Sequence, residues 1–372
     1  MIQLQFQKAQ GNYSLNYIEL IINNKECKDK NVLIIIMKTI AFFVRHFTER
    51  GTEVSVYDYA KYNEEILGNR SIIIYFSNET KNKLHWPTTD ATFKKFSDRF
   101  ESIKINNIYD ISAVINSYDI SIFYTQTHGM IEKNIYQFSN KELWGTCKTI
   151  KHCVFDVNGE ESDYYCSISN FLANTKKSGN KIPVLPYIVT LPSSSDNLRS
   201  NLNIPEDAIV FGGYGGQYSF DIKYVHKTVF NVVINNPNIY FLFANFDRFC
   251  PEHSNIIHLP SIIEPIEKTK FINTCDAMLW ARSGGETFGL AIGEFSMNNK
   301  PVIATKVGEF AHVELLGDKA MWYSNEKDLY NILTTFNKED ASKKDWNAYK
   351  EYSPEKVMMT FKNIISTLLD ES

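Results

Sequence analysis

The sequence lacks an excess of either charge, a pair of closely spaced cysteines and a long apolar segment. Its 39 basic and 43 acidic residues give a formal net charge of −4, which offers no electrostatic support for binding nucleic acid. Its six cysteines are scattered and none forms a C-x-x-C pair. This pattern disfavours a zinc site or a disulfide framework and is typical of a reducing compartment.

No stretch reaches the roughly 18 unbroken apolar residues that a membrane-spanning helix needs. The nearest stretch, residues 32–44, is interrupted by Lys38 and Thr39. It also lies far from Met1 and has neither the basic start nor the small-residue cleavage site of a secretory signal. We therefore expect a cytoplasmic protein without a membrane span, for which peripheral contact with a membrane stays open.

The composition is that of a folded protein with more than one domain. Hydrophobic residues make up 44% and charged residues 22% of the 372 positions, a length that corresponds to about two domains of roughly 150 residues. From Met37 onward, apolar runs such as residues 40–44, 71–76 and 120–124 alternate with helical segments. Continuous apolar strands separated by helices predict a parallel α/β sheet that is covered on both faces.

Breaks in this alternation mark the domain boundaries. The alternation stops at the proline-marked residues 183–192 and the small polar residues 193–197, then restarts at residues 208–211. Proline and clusters of small polar residues are typical of linkers. The predicted organisation is an N-terminal extension over residues 1–36, a first α/β domain over 37–190, a second over 191–353, and a C-terminal helix over 354–372 that packs back on the first domain.

The extension has two interpretations. Residues 1–36 are polar and poorly periodic, and Met37 is followed by Lys38 and an apolar run, which is how many α/β domains begin. The extension is therefore either an appendage to a domain that starts at Met37, or residues 31–36 belong to the first strand of that domain.

A glycine-rich segment in the second half carries the strongest signal for a binding site. A predicted strand over residues 277–280 leads through glycines into a helix expected to begin near Glu286 or Thr287. A helix start offers unpaired backbone N–H groups and a positive dipole end, and Arg282 adds a cation suited to phosphate. On one helix, Glu286 and Glu294 would share a face about 12 Å apart. The alternative is that Glu286 is at the helix start only because the dipole favours a negative charge there, and that Glu294 is simply solvated.

This segment resembles the signature of the retaining glycosyltransferases of family 4, which have the GT-B fold. The resemblance rests on Glu286-Thr-Phe-Gly-Leu290, on Glu294 and on Pro301-Val-Ile-Ala304. It implies two Rossmann-like domains facing a central cleft, a nucleotide-diphosphate sugar as donor and an acceptor that the sequence does not identify. It also implies transfer with retained anomeric configuration by a front-face step, in which the leaving phosphate takes the acceptor proton.

The resemblance assigns roles to the residues of the segment. Glu294 would hold the donor ribose hydroxyls, Glu286 would contact the donor sugar, and backbone N–H groups would hold the diphosphate. The turn residues implied in donor binding are Thr287, Phe288, Gly289 and Leu290, together with Arg282.

The first strand of the second domain departs from the family pattern. It runs into Gly212-Gly-Tyr-Gly-Gly216, and Gly213 stands where the family has an arginine. We expect Gly213, Gly215 and Gly216 to let the backbone approach a phosphate closely, with a flexible turn as the alternative. Arg282 is a candidate for the missing cation, and Lys223 or Lys227 for a family lysine. The departure keeps two other functions open: an impaired nucleotide(-sugar) binding protein and a GT-B nucleotide-sugar epimerase.

The first domain supplies further candidates. By the same resemblance, the loop after its first strand, with Gly51 and Thr52, borders donor and acceptor at the strand end where α/β proteins bind ligands. The family often places a histidine near the transferred sugar. His152 is the catalytic candidate and His128 the other; either is alternatively structural.

The sequence shows no metal-binding pattern. It contains no Asp-x-Asp motif after a strand, and its eight histidines do not pair at ligand spacing. We therefore expect no cofactor and no metal. The helix dipole, backbone donors and cations would then stabilise the leaving diphosphate.

Overall fold

A computed structural model describes residues 3–4, 17–22, 31–77, 88–175 and 181–370 of the chain. Most of the predicted extension and the last two residues of the predicted C-terminal helix lie outside these ranges. The described chain contains two parallel six-stranded sheets, each flanked by helices. The predicted α/β fold class is therefore confirmed.

The first sheet has its earliest strand in the interior. This strand, β4 (Thr39–Val44), is fully buried along its length, as expected for an apolar run between two layers of helices. In spatial order the sheet consists of β6 (Glu101–Ile105), β5 (Arg70–Phe76), β4 (Thr39–Val44), β7 (Ile120–Thr127), β8 (Lys148–Cys153) and β9 (Tyr164–Ser167). Its helices are α1 (Gly51–Glu65), α2 (Asp90–Arg99), α3 (Ile111–Tyr118), α4 (Lys133–Tyr136), α5 (Lys141–Trp144) and α6 (Asn170–Asn174).

The second sheet repeats the plan. In spatial order it consists of β12 (Ile256–Leu259), β11 (Ile239–Ala244), β10 (Ile209–Tyr214), β13 (Ala277–Leu279), β15 (Val302–Ala304) and β17 (Met321–Trp322). A separate two-stranded sheet pairs β14 (Gly285–Glu286) with β16 (Glu309–Phe310). Its helices are α7 (Lys223–Asn235), α8 (Pro265–Thr274), α9 (Leu290–Met297), α10 (Ala311–Leu316), α11 (Glu326–Thr334) and α12 (Lys338–Ser342), and they are followed by α13 (Pro354–Asp370).

Helix α13 returns to the first domain. It begins at Pro354, whose missing N–H costs nothing at a helix start. Its apolar residues recur at helical spacing and join the core around β4, where the Phe361 ring lies 5.3 Å from that of Tyr59 and 5.7 Å from that of Tyr124. The buried residues of this face are Val357, Met358, Phe361, Ile364, Ile365 and Leu368. The last helix of the chain thus completes the core of the first domain.

Residues 31–36 do not extend the first strand of that domain. They form β3 (Asn31–Ile36), which pairs antiparallel with β2 (Tyr17–Ile22), and β2 pairs in turn with β1 (Gln3–Leu4). This three-stranded sheet is separate from the sheet that contains β4.

Candidate functional site

The helix of the glycine-rich segment begins later than predicted. Helix α9 starts at Leu290 rather than near Glu286, and Glu286 lies in β14. The reason is backbone conformation: Gly285 has φ +68° and Gly289 has φ +84°, a left-handed region that a right-handed helix cannot include. The unpaired N–H groups and the positive dipole end therefore lie at Leu290 and the residues after it.

Glu286 lies at the entrance to this helix and is held by two donors. Its carboxylate accepts one hydrogen bond from Trp280 Nε1 and another from Arg282 Nη1, each at 3.1 Å. The turn that carries Arg282 is fixed by Asp221, whose carboxylate accepts from Ser283 N and Ser283 Oγ at 2.6 Å. Arg282 keeps 36% of its side chain exposed, so its remaining N–H groups are accessible to a ligand.

Glu294, one turn into α9, has quite different surroundings. Its side chain is only 3% exposed. Tyr214 donates a hydrogen bond to Oε2 at 2.6 Å, and the Lys268 ammonium lies 3.1 Å from Oε1. Because Glu286 is outside the helix, the predicted single helical face carrying both glutamates is wrong. Tyr214 and Lys268 come from β10 and α8, far apart in sequence, and no local motif singled them out.

The first domain presents its own helix start to the same place. Helix α1 begins at Gly51, where a Cβ atom would lie 3.9 Å from Cδ2 of Leu290. Arg50 precedes this helix. Burial lowers the pKa of its guanidinium, the charge of Glu53 raises it, and the charge of Arg282 lowers it again. Two helix starts and two guanidinium groups, one of each from either domain, therefore converge, and such a convergence favours an anion.

Thr52 and Phe288 are structural neighbours of this site. Thr52 shares a hydrogen bond with the Tyr187 hydroxyl, and the Tyr187 ring packs 5.3 Å from that of Phe288. Phe288 is 1% exposed and its carbonyl accepts from Tyr349 Oη at 2.8 Å. Thr287 is also buried. These contacts fix the turn between β14 and α9.

The two histidine candidates are placed very differently. His152 is fully buried in β8, its Nδ1 lies 2.6 Å from Tyr124 Oη, and burial lowers its pKa to about 3. The His152 imidazole is therefore neutral and enclosed, as expected for a core residue and not for a residue that faces the cleft. His128 is exposed at the end of β7 and packs against Phe155 with ring centroids 5.4 Å apart.

The three candidate glycines at the first strand of the second domain have different environments. Gly213 lies inside β10, and a Cβ atom there would be 2.8 Å from the Leu279 carbonyl oxygen. The packing of the sheet therefore requires glycine at position 213, and a side chain there would not point into the cleft. Gly215 and Gly216 follow the strand in a turn, where Gly216 O accepts from Ser219 N at 2.8 Å. Gly216 has room for a side chain, since its nearest neighbour would lie 3.8 Å away.

Carboxyl groups of the first domain line the cleft close to Glu294. Burial raises the pKa of Glu53 to about 7, although a hydrogen bond from Thr48 opposes the shift. Burial likewise raises the pKa of Asp58 to about 7. Both residues line a cavity that Lys268 and Glu294 close from the second domain.

Among the residues with described positions, no group of three or more His, Cys, Asp or Glu side chains is arranged to hold a metal ion. In the same part of the chain no helix is both long enough and apolar enough to cross a membrane.

Comparison with known proteins identifies relatives by structure only. No protein-family model and no curated protein matches the chain. A glycosyltransferase from Rickettsia africae ESF-5 matches with a TM-score of 0.66 at 17% identity, covering 90% of this chain and 100% of that one. HepE from Anabaena, in complex with UDP and glucose, matches with a TM-score of 0.64 at 13% identity, covering 89% and 100%. Sucrose-phosphate synthase from Thermosynechococcus elongatus matches with a TM-score of 0.65 at 12% identity, covering 90% and 100%.

At these identities the likeness establishes the fold. It extends over both sheets, because about nine-tenths of this chain is matched in each case. The chain therefore has the GT-B fold, in which two Rossmann-like α/β domains face each other across a cleft.

Proposed function

We propose that the protein is a retaining glycosyltransferase that moves a sugar from a nucleoside-diphosphate sugar to an acceptor. The observation that carries this proposal is the convergence at the cleft. The starts of α1 and α9 meet there, and Arg50 and Arg282 lie close enough for their charges to interact. Glu286 lies just before α9 and Glu294 lies within it. A diphosphate is the ligand whose charge and length suit two helix starts and two guanidinium groups.

Each part of the donor has a matching group. The diphosphate would accept hydrogen bonds from the first N–H groups of α9 and from Arg282. The sugar would lie against Glu286, which Trp280 and Arg282 already orient. The ribose hydroxyls would donate to Glu294, one turn further along the helix.

The structural relatives support this class of donor. HepE from Anabaena is described in complexes with UDP, with UDP-glucose, and with UDP and glucose. A structure of MnaA from S. aureus with UDP also matches, with a TM-score of 0.59 at 12% identity. Uridine diphosphate and its sugar conjugates are therefore the first ligands to try.

The transfer step would need no protein nucleophile. In a front-face reaction the bond between the sugar C1 and the phosphate oxygen breaks, and the acceptor oxygen bonds to C1 on the same face. The acceptor proton passes to the released phosphate oxygen. The protein would contribute electrostatic stabilisation of the diphosphate, for which removal of one donor typically costs about 100- to 1,000-fold in rate. We propose that this stabilisation needs no metal ion.

The test is donor turnover followed by NMR, with and without EDTA. Glu286→Ala and Glu294→Ala should each slow release of the nucleoside diphosphate at least tenfold, and the sugar should keep its anomeric configuration. Glu314→Ala, at an exposed position on α10, is the matched control and should turn over at the wild-type rate. Unchanged turnover in both site variants would refute the assignment.

Two other functions are distinguished by the same experiment. Gly213 lies in β10 at the position where the family has an arginine, and the missing cation favours a nucleotide-binding protein with impaired transfer. Binding of nucleotide without any turnover would support that alternative. An epimerised nucleotide sugar, formed without an acceptor, would identify a nucleotide-sugar epimerase.

A further inference from the structure

The carboxylate of Glu294 is held by side chains from outside the glycine-rich segment. Tyr214 Oη lies 2.6 Å from Oε2, while Lys268 Nζ lies 3.1 Å from Oε1 and 3.5 Å from Oε2. The Lys268 side chain is 12% exposed and that of Glu294 3%. A carboxylate enclosed to this degree needs a cation and hydrogen-bond donors to offset its lost hydration. Both oxygens are thereby fixed in position before any ligand arrives.

Lys268 also faces the first domain. It lines one cavity with Asp58 of α1 and Lys95 of α2, whose apolar wall includes Ile262 and Ile263. Burial is the main cause of the raised pKa of Asp58. The charges of Lys95 and Lys268 lower that pKa, and the charge of Glu294 raises it. The Lys268 ammonium therefore acts on a carboxyl group of each domain.

We propose that Lys268 is a positioning residue for the nucleoside half of the donor, holding the Glu294 carboxylate toward the ribose hydroxyls and linking it to Asp58 across the cleft. This inference rests on the proposed function, because it assumes that Glu294 binds ribose. The same ammonium group then stabilises the ribose-binding carboxylate and lines a common cavity with Asp58 of the first domain. Loss of Lys268 should impair recognition of the nucleoside and spare recognition of the diphosphate.

Two ligands separate these contributions. Inorganic pyrophosphate carries the diphosphate alone and reports on Arg282 and the start of α9. The tightest binder among UDP, GDP and ADP carries the ribose as well and reports on Glu294. Calorimetric titration of both ligands into the full chain gives the dissociation constants for the wild type and for Lys268→Met, Lys268→Arg and Lys270→Met.

The expected result is a selective loss. Lys268→Met should lower the affinity for the nucleoside diphosphate at least tenfold and change the affinity for pyrophosphate less than twofold. Lys268→Arg keeps the cation and should restore affinity to within about fivefold of the wild type. Lys270→Met is the matched control on the same helix, where Lys270 pairs with Glu267 at 2.8 Å, and it should leave both affinities unchanged.

Two further variants guard against a folding defect. Tyr214→Phe removes the hydroxyl that donates to Glu294. It should lower the affinity for the nucleoside diphosphate about threefold to tenfold and leave the affinity for pyrophosphate unchanged. Asp58→Asn alone should lower the affinity for the nucleoside diphosphate about threefold. Combined with Lys268→Met it should cause no further loss, because both substitutions act through the Lys268 ammonium group.

The outcomes that would overturn the inference are distinct. If the wild type binds both ligands but Lys268→Met and Tyr214→Phe leave the nucleoside diphosphate unaffected, or weaken both ligands equally, the inference is wrong and the proposed function stands. If the wild type binds neither ligand, the proposed function fails and the inference fails with it.

Discussion

The two glutamates of the glycine-rich segment have different surroundings and are expected to do different work. Glu286 pairs with the partly exposed Arg282 just before α9, whereas Glu294 is enclosed by Tyr214 and Lys268. Their eight-residue spacing predicts one helical face, but the left-handed backbone at Gly285 and Gly289 shortens the helix and separates them. Spacing alone could not reveal this, since glycine is compatible with both conformations.

Glu53 gives a pH-dependent stability. Its pKa is raised by burial from 4.5 to about 7 in the folded protein, so between these values the folded state keeps a proton that the unfolded chain has released. Its contribution to stability is therefore fully present below about pH 4.5 and is lost as the pH rises toward 7. Glu53→Gln, which stays neutral, should raise the free energy of unfolding at pH 8 by about 1–3 kcal/mol and leave it nearly unchanged at pH 4.5.

Urea denaturation at the two pH values measures this effect. Glu142→Gln, at an exposed position on α5, is the control and should change neither value. A Glu53→Gln variant that is equally stable to the wild type at pH 8 would show that the carboxyl group is not destabilised by its burial.

At the scale of elements, the turn between β13 and α9 depends on one glycine more than on its neighbour. A Cβ atom at Gly285 would lie 2.1 Å from Glu309 N, and its φ is +68°; at Gly284 the nearest atom would be Arg282 Nε at 3.9 Å. Gly285→Ala should therefore destabilise the protein by about 1–3 kcal/mol. It should also weaken nucleotide binding, because β14 leads directly to the start of α9, where the diphosphate is proposed to bind.

Gly284→Ala is the matched control for this element. It should stay within about 0.5 kcal/mol of the wild type, as substitutions without a steric cost usually do. Thermal unfolding and nucleotide titration of both variants check the pair. Equal effects at the two positions would mean that the conformation of Gly285 does not shape the turn.

Sequence patterns located most elements but misread their ends where glycine lies inside a strand. The first strand of the second domain was predicted over residues 208–211, yet β10 continues through two glycines to Tyr214. The sheet demands those glycines, since a Cβ atom at Gly212 would lie 2.3 Å from Cys275 Sγ. The first side chain at the end of the strand is thus Tyr214, which contacts Glu294. Local composition predicts a loop here, because the packing constraint comes from residues far along the chain.

At the scale of the whole molecule, α13 ties the end of the chain to its first domain. The sequence predicts a helix over residues 354–372 that packs back on the first domain, but the side chains that it contacts are set by the fold. Phe361 is fully buried among first-domain aromatic rings, while Met359 is 52% exposed. Phe361→Ala should lower the free energy of unfolding by about 3–5 kcal/mol, and Met359→Ala by less than about 0.5 kcal/mol.

Denaturant unfolding followed by circular dichroism measures both values. Similar stabilities for Phe361→Ala and Met359→Ala would contradict the role of α13 in the first-domain core.

The two-domain α/β plan was readable from the sequence because buried parallel strands leave continuous apolar runs. The residues around the cleft were only partly readable. Gly51, Arg282, Glu286 and Glu294 follow from local motifs. Tyr214, Lys268 and Asp58 do not, since they meet only when two sheets and three helices are assembled. The sequence placed His152 at a strand and so made it a catalytic candidate, but the ring is fully buried in that strand.

The most direct test of the account is a crystal structure of the full chain with a bound nucleoside diphosphate, in the presence of EDTA. We predict diphosphate oxygens within hydrogen-bond distance of Leu290 N and the Arg282 guanidinium, with ribose hydroxyls at the Glu294 carboxylate. A diphosphate bound instead at the Gly215–Gly216 turn, or a nucleoside that does not reach Glu294, would contradict it.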